Sequence, residues 1–279
     1  MRTDLSAVEQ VEFDALVKAE YRSGGFLLRE GVRRKENVVG SSVQFRRVGE
    51  VISVPTGFAV AVTGQDPGFT PEVANLVKFT TPVEVDIVED LFVNFDTVME
   101  SAGLIAQAMG RRSDQITIDA IDLGATTAGN VVVDGGTNLN YTKYTRIIEF
   151  FEDNGVPLGE RWVAMSANNF RSLLSQTEFV STFYTQNRVL DKGMIREYLG
   201  INVVVVPAMT EGGLPKAGDI RDVLAWHKQS TGFAVGANFR TEVNYIPQTT
   251  SWLANGIFSA GSVVIDPRGT LVVQCDESV

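Results

Sequence analysis

The spacing of apolar residues predicts one long helix before the middle of the chain. Small and apolar side chains recur at helical intervals over residues 97–122, at Val98, Ala102, Ile105, Ala106 and Met109. Thr97 and Glu100 match the capping box that begins a helix, and Gly124 is a typical residue for its end. At about 1.5 Å per residue this helix would span roughly 39 Å, so we expect it to act as a spine.

Alternating patterns predict strands on both sides of this helix. Residues 43–90 are strand-like, with a turn cluster at residues 64–68, and Val51, Ile52 and Val54 are expected to continue one side of a hairpin. Apolar and acidic residues then alternate, as in a strand with one solvated face, at Val83, Glu84, Val85, Asp86 and Ile87. This region has few apolar residues to bury, which favours an extended arm. The last fifty residues again predict strands.

Helices and strands are mixed over residues 143–232. The patterns predict helices at Tyr144–Asp153 and Met194–Leu199, strands at Arg161–Ser166 and Ile201–Val206, and a helix capped by Asn168 or Asn169 that holds Phe170, Leu173 and Leu174. We expect Ile201–Val206 to be fully buried. Glu211–Gly218 is a glycine-rich loop without the Lys-Ser/Thr ending of a phosphate-binding loop. This order predicts an α/β subdomain, and together with the flanking strands it predicts an α+β fold.

Charge is distributed unevenly along the 279 residues. The chain has 24 basic and 34 acidic residues, a net charge of −10, which argues against a general nucleic-acid binder. Residues 22–47 contain seven cations and two acids, a local charge of +5, whereas residues 51–110 contain one cation and eight acids, a local charge of −7. Each segment can be a solvated face. In the sharper interpretation the two meet on neighbouring subunits.

The single histidine and single cysteine exclude several kinds of chemistry. One cysteine allows no disulfide or Cys-x-x-Cys site within the chain, and one histidine allows no His-Glu-x-x-His zinc motif. We interpret Cys275 as a core residue and His227 as a packing or surface residue. An enzyme would have to use carboxylate pairs, Glu84 with Asp86 or Asp219 with Asp222, although alternating acids on a strand favour a wet face. We expect no cofactor, metal or catalytic residue.

Residues 1–42 predict an arm rather than a core element. Apolar residues between Leu5 and Ala19 have roughly helical spacing, and five acids within the first 28 residues exclude a signal peptide. The longest aliphatic run, Val203–Val206, is far shorter than a membrane span. We therefore expect no membrane segment.

The order of these parts resembles the major capsid proteins of tailed bacteriophages, which have the Hong Kong 97 capsid fold. A basic arm, a long hairpin, a spine helix, an α/β part and closing strands follow one another along nearly the whole chain. The motifs that sharpen the resemblance to the podophage-related branch are Val43–Arg47, Gly64–Asp66, Phe239–Glu242, Tyr245–Gln248, Trp252, Gly256, Phe258–Gly261 and Asp266–Gly269.

The resemblance implies a division of the chain into four parts. Residues 1–42 would be the N-terminal arm and residues 43–82 the extended loop over a neighbouring subunit. A peripheral domain would comprise residues 83–142 and 233–265, and an axial domain residues 143–232 and 266–279. The Glu211–Gly218 loop would then lie near the centre of each capsomer.

The resemblance also implies function and partners. The chain would assemble into hexamers and pentamers of an icosahedral head shell that encloses double-stranded DNA, in the cytoplasm of a host bacterium. Because the chain starts directly in the arm, we expect a separate scaffolding protein. The resemblance further implies a portal protein and non-specific contacts with the packaged DNA, and it leaves open whether a decoration protein is present. An encapsulin-like nanocompartment shell is the alternative. The cross-linking lysine of some family members is not assigned to Lys78.

Contacts between subunits are the candidate functional sites in this interpretation. Phe58 and Phe69 lie in the hairpin region without an evident core of their own, and we expect one or both to pack on an adjacent subunit. The +5 segment could contact DNA, a scaffold or the acidic segment of a neighbour, and we favour the neighbour. The candidate contact residues are Arg29, Arg33, Arg34, Lys35, Arg46, Arg47, Phe58, Gln65, Asp66, Phe69, Glu84, Asp86, Gly212 and Gly213.

Overall fold

Helices and strands both contribute to the fold, which confirms the α+β expectation. A computed structural model describes residues 27–58, 60–62, 64–86, 97–133, 135–176 and 197–278. The helices are α1 Thr97–Thr127, α2 Tyr141–Asp153 and α3 Ala167–Leu174. The strands are β1 Arg33–Lys35, β2 Ser42–Val48, β3 Phe69–Asn75, β4 Val77–Asp86, β5 Val131–Val132, β6 Arg161–Ser166, β7 Glu197–Tyr198, β8 Ile201–Val206, β9 Lys216–Ala217, β10 Ile220–His227, β11 Thr231–Val235, β12 Arg240–Ile246, β13 Ser251–Val264 and β14 Thr270–Asp276.

The described strands form two sheets and one separate hairpin. A five-stranded sheet has the order β1-β11-β13-β12, with β4 on the other edge of the long strand β13. A seven-stranded sheet has the order β5-β14-β10-β6-β8-β7, with β9 paired to β10. Strands β2 and β3 pair antiparallel with each other and extend from the body as a hairpin.

Helix α1 connects the two sheets as a spine. Its first half packs Ile105 and Met109 against Ala254 and Phe258 of the five-stranded sheet. Its second half packs Ile118 and Ile121 in a core with Leu224 and Trp226 of the seven-stranded sheet. The opposite face of the seven-stranded sheet is covered by α2. The predicted spine helix is therefore confirmed.

The end of this helix was wrongly assigned to Gly124. The helix continues to Thr127, and Gly124 has a packing role, because a Cβ atom there would lie 2.4 Å from Val264 Cγ2. A glycine inside the helix thus allows the close approach of β13.

Several other predictions need correction. Ser166, rather than Asn168 or Asn169, caps α3, since its hydroxyl accepts the amide hydrogen of Asn169. Strand β8 has the predicted bounds, but its inner residues are only partly covered, so it is not fully buried. Glu197–Tyr198 is a short strand rather than the end of a helix, and residues 194–196 lie outside the described residues.

Pairing in the hairpin is shorter than predicted. It stops at Val48 and Phe69, so Val51, Ile52 and Val54 are not in a strand. The alternating strand predicted around Val83 and Val85 is confirmed as part of β4, with alternate residues exposed, although Ile87 lies outside the described residues.

Residues 27–35 belong to the body of the molecule, which corrects the prediction of an arm outside the core for this part. Leu28 and Val32 are buried, and β1 pairs in parallel with β11. Asp114 of α1 accepts the amide hydrogens of Leu27 and Leu28 at 3.1 and 3.2 Å. The predicted helix between Leu5 and Ala19 lies outside the described residues. Within the described ranges, no helix is long and apolar enough to cross a bilayer.

Candidate intersubunit surfaces

The base of the β2–β3 hairpin is fixed to the body by one buried aromatic ring. Phe45 of β2 is fully buried and packs with Ala74, Ala234 and Ile265. Gly232 faces this ring, and a Cβ atom at that position would lie 2.8 Å from Phe45 Cζ. The chain therefore holds the base of the hairpin with its own core.

The loop beyond the paired strands is closed by its own polar groups. The Gly49 amide donates to the Gly68 carbonyl at 3.0 Å. Gln65 Oε1 accepts from the Ile52 amide at 3.3 Å, and Asp66 Oδ1 accepts from the Gly68 amide at 3.0 Å. Gln65 and Asp66 thus shape the loop, and their contact with a neighbouring subunit stays a prediction.

The hairpin tip, residues 51–62, exposes apolar side chains. Phe58 is fully exposed, and Phe69 at the end of β3 is 60% exposed. Five aliphatic residues of the tip are exposed as well, namely Val51, Ile52, Val54, Val60 and Val62. The tip contains no charged residue. A concentration of exposed apolar side chains in one loop is typical of a protein–protein interaction site.

Two adjoining clefts bring together the predicted cationic residues at the foot of the hairpin. The larger, of about 760 Å³, is lined by Arg33, Arg46 and Arg47. The smaller, of about 550 Å³, is lined by Arg29, Arg33 and Arg34. Because the clefts share Arg33 and Gln229, we call them together the arginine groove. Lys35 is directed elsewhere, since its Nζ donates to the Gln44 carbonyl at 2.7 Å.

The predicted acidic contact residues lie on β4, whose inner residues Phe79 and Val83 pack against the core that contains Ile105 and Met109 of α1. Glu84 and Asp86 are exposed on the solvated face of this strand. Glu84 accepts a hydrogen bond from Ser251, and this bond with a second one from Thr249 holds the pKa of Glu84 below its ordinary value. A carboxylate that stays ionised suits an ion pair better than a general acid.

Gly212 and Gly213 are buried within the subunit. Gly212 has φ +78° and donates its amide hydrogen to Gln115 Oε1 at 2.8 Å, while a Cβ atom there would lie 3.1 Å from Arg111 of α1. A Cβ atom on Gly213 would lie 2.0 Å from the Met209 carbonyl oxygen. Both glycines are required by packing of the loop, and an intersubunit role for them stays a prediction.

Asp219 and Asp222, the second carboxylate pair that an enzyme could use, differ in their exposure to solvent. Asp219 is exposed, whereas burial and the nearby charge of Asp122 raise the pKa of Asp222 to about 6. His227 has its pKa lowered by burial, and its Nδ1 accepts from the Gln229 amide at 3.3 Å. In the ranges that the structure describes, His, Cys, Asp and Glu form no cluster that could hold a metal ion.

Two interior polar contacts escaped sequence reasoning. Burial raises the pKa of Asp114, which holds residues 27 and 28, to about 6. Glu277 ties three strands of the seven-stranded sheet, through Ser166 at 2.6 Å, Arg221 at 2.9 Å and Lys216 at 3.1 Å. No local motif marks either carboxylate, because the backbone amides that bind Asp114 and the side chains that bind Glu277 are all distant in sequence.

Comparison with known proteins gives one consistent result. The family model described as phage capsid protein matches residues 5–277. The capsid structure of the cyanophage P-SCSP1u superposes with a TM-score of 0.70 at 17% identity, over 89% of this chain and 87% of that chain. The head structure of Helicobacter pylori bacteriophage KHP40 gives a TM-score of 0.66 at 10% identity, over 88% of each chain. No curated protein matches the chain.

Proposed function

We propose that the extended hairpin of this chain joins neighbouring subunits of a phage head shell. The chain belongs to the phage capsid protein family and is therefore a component of that shell. The fold is that of the Hong Kong 97-like capsid proteins, and the chain is a major capsid protein. The observation that carries the proposal is the exposed apolar tip, because Phe58 and five aliphatic side chains contact no core in the described part of the chain.

The physical argument is the area that such a tip can bury. A shell is held by many repeated contacts that close by symmetry. Obligate interfaces often bury more than about 2,000 Å², and an extended loop provides such area without enlarging the subunit. Burial of exposed valine, isoleucine and phenylalanine side chains stabilises each contact by about 1.5–3 kcal/mol per residue.

The division into parts follows the same proposal. The hairpin would serve as the extended loop, the five-stranded sheet with α1 as the core of the peripheral domain, and the seven-stranded sheet as the axial domain. Hexamers and pentamers would form with the Glu211–Gly218 loop near their centres.

Further partners are part of the proposal and rest on the family resemblance. They are a scaffolding protein, a portal protein, a decoration protein and packaged double-stranded DNA held by non-specific contacts, with assembly in the host cytoplasm. The net charge of −10 supports weak contact with DNA, since the packaged genome has to leave. The encapsulin-like alternative is not favoured, because the family model is a phage capsid model.

Electron microscopy of the purified chain tests the function. We expect shells, or separate hexamers and pentamers, when the chain is expressed with and without a scaffolding protein. A stable monomer under both conditions would contradict the proposal.

A further inference from the structure

The arginine groove carries more positive charge than its surroundings neutralise. Its walls hold seven cations, Arg29, Arg33, Arg34, Arg46, Arg47, Lys228 and Arg268, and four acids, Glu30, Glu50, Asp153 and Asp266, a net charge of +3 without the histidine. Three of the cations are paired inside the chain, Arg34 with Glu36, Lys228 with Glu160 and Arg268 with Asp266.

Four arginines of the groove remain available for another molecule. Arg29, Arg33, Arg46 and Arg47 form no ion pair within 4 Å of a carboxylate among the described residues, although the charge of Arg47 helps to lower the pKa of Asp266. Arg29, Arg33 and Arg46 are exposed and Arg47 is half-buried, so their guanidinium groups can be reached. Guanidinium groups are well suited to bidentate contact with carboxylates.

The exposed face of β4 has the complementary pattern. In the described part of the chain β4 pairs only with β13 and is therefore an edge strand. Lys78 stands at one end of its exposed face, and Glu84 and Asp86 stand at the other. Asp86 follows Lys78 by eight positions along the strand, a distance of about 27 Å. Glu84 is a carboxylate at neutral pH, and the hydrogen bonds from Ser251 and Thr249 lower its pKa further.

The mixed charge of the groove favours a protein over DNA as its occupant. Glu30, Glu50 and Asp153 would repel a phosphate backbone, which presents only negative charge. A strand with both signs of charge can place its acids beside the arginines and Lys78 beside one of the groove carboxylates.

We propose that the arginine groove of one subunit receives the exposed face of β4 from the next subunit, with Arg46 and Arg47 paired to Glu84 and Asp86. This inference rests on the proposed shell function and names one of its contacts. The groove and β4 are different surfaces of one chain, so the contact is heterologous. Such contacts close into rings when the rotation between subunits is right, as in hexamers and pentamers.

Charge exchange within one chain tests this pairing. We expect that R46E/R47E and E84K/D86K each lower the yield of assembled shells by about tenfold or more, because like charges then face each other. The chain with all four substitutions regains complementary charges, and its yield should return to within about twofold of the parent. Shells are counted by sedimentation and electron microscopy at low salt.

Matched variants separate charge from folding. R46K/R47K keeps the charge but loses the bidentate geometry, so its yield should fall less than that of R46E/R47E. S251A removes the hydrogen bond that Ser251 donates to Glu84 but keeps the carboxylate, so it should assemble like the parent. If the reversed arginine pair does not fold, R46Q/R47Q gives the same test with a smaller loss.

Four results would contradict the proposal or its premise. Normal assembly of both reversed pairs, or no recovery in the fourfold variant, overturns the pairing. If R46E/R47E forms normal shells that retain less DNA, the groove binds the phosphate backbone of DNA instead of β4. If the parent itself forms no shells, the shell function fails rather than this contact.

Discussion

Phe45 and Phe58 belong to the same hairpin and have opposite environments. Phe45, at the base, is fully buried against the body, whereas Phe58, in the tip, is fully exposed. Burial of a phenylalanine stabilises a protein by about 1.5–3 kcal/mol, so an isolated subunit gains this energy at the base and forgoes it at the tip. The contrast teaches that the chain folds onto its own base and leaves the tip for a neighbour.

Removal of the buried ring should have the largest effect on the subunit itself. We expect F45A to lower the free energy of unfolding of the unassembled chain by about 3–5 kcal/mol, because the cavity cannot collapse completely. Urea denaturation measures this change. A loss below about 1 kcal/mol would show that the base is not anchored as described.

A methyl group placed against the same ring should have an intermediate effect. G232A puts a Cβ atom 2.8 Å from Phe45, and overpacking of this kind costs about 1–3 kcal/mol. G103A is the control, since a Cβ atom at that position of α1 meets no atom within 4 Å, and the lower chain entropy should stabilise the helix by up to about 1 kcal/mol. If G103A destabilises the chain as G232A does, the loss in G232A does not come from the contact with Phe45.

The pH dependence of subunit stability should come from residues of the body, because the tip has no charged residue. Asp222 has its pKa raised by burial and by Asp122 to about 6, and Oδ1 has no hydrogen-bond partner among the described residues. The folded state therefore binds the proton more tightly than the unfolded chain, and stability falls as the pH rises between about 4 and 6.

The variant D222N should remove this loss. Because Asp222 is only half-buried, we expect a gain of about 1 kcal/mol at pH 8 and a flatter dependence of unfolding on pH. The exposed residue Asp219 provides the control variant D219N, which should behave like the parent. Urea titrations at pH 4.5 and pH 8 measure both variants, and an unchanged pH dependence in D222N would refute the assignment.

The smallest effect on subunit stability is expected at the tip. F58S removes a side chain that is fully exposed, and surface substitutions of this kind change the free energy of unfolding by less than about 0.5 kcal/mol. Thermal or urea unfolding of the unassembled chain measures it. A loss similar to that of F45A would mean that the tip packs within the same subunit.

Local signals in the sequence account for the elements that were predicted well. The apolar spacing of α1 acts within a few turns, and the bounds of β6 follow from its own residues. The burial of Leu28 and Val32 could not be predicted, because β1 pairs with β11, almost 200 residues away. Gly124 gave a helix-end signal, but its role depends on distant Val264.

The candidate contacts show the same limit. The tip was found from residues without an evident core, and the charge runs pointed to Arg33, Arg46 and Arg47. Only the fold shows that these arginines share a groove, and that Gln65, Asp66, Gly212 and Gly213 serve their own loops.

Shell yield of the double variant F58S/F69S tests the central claim most directly. The variant L158S is the control, since Leu158 is 79% exposed but lies outside the hairpin. We predict that F58S/F69S folds like the parent by urea denaturation but forms few or no shells by electron microscopy, while L158S assembles normally. Assembly of F58S/F69S at the parent's yield would contradict the claim that the hairpin tip joins neighbouring subunits.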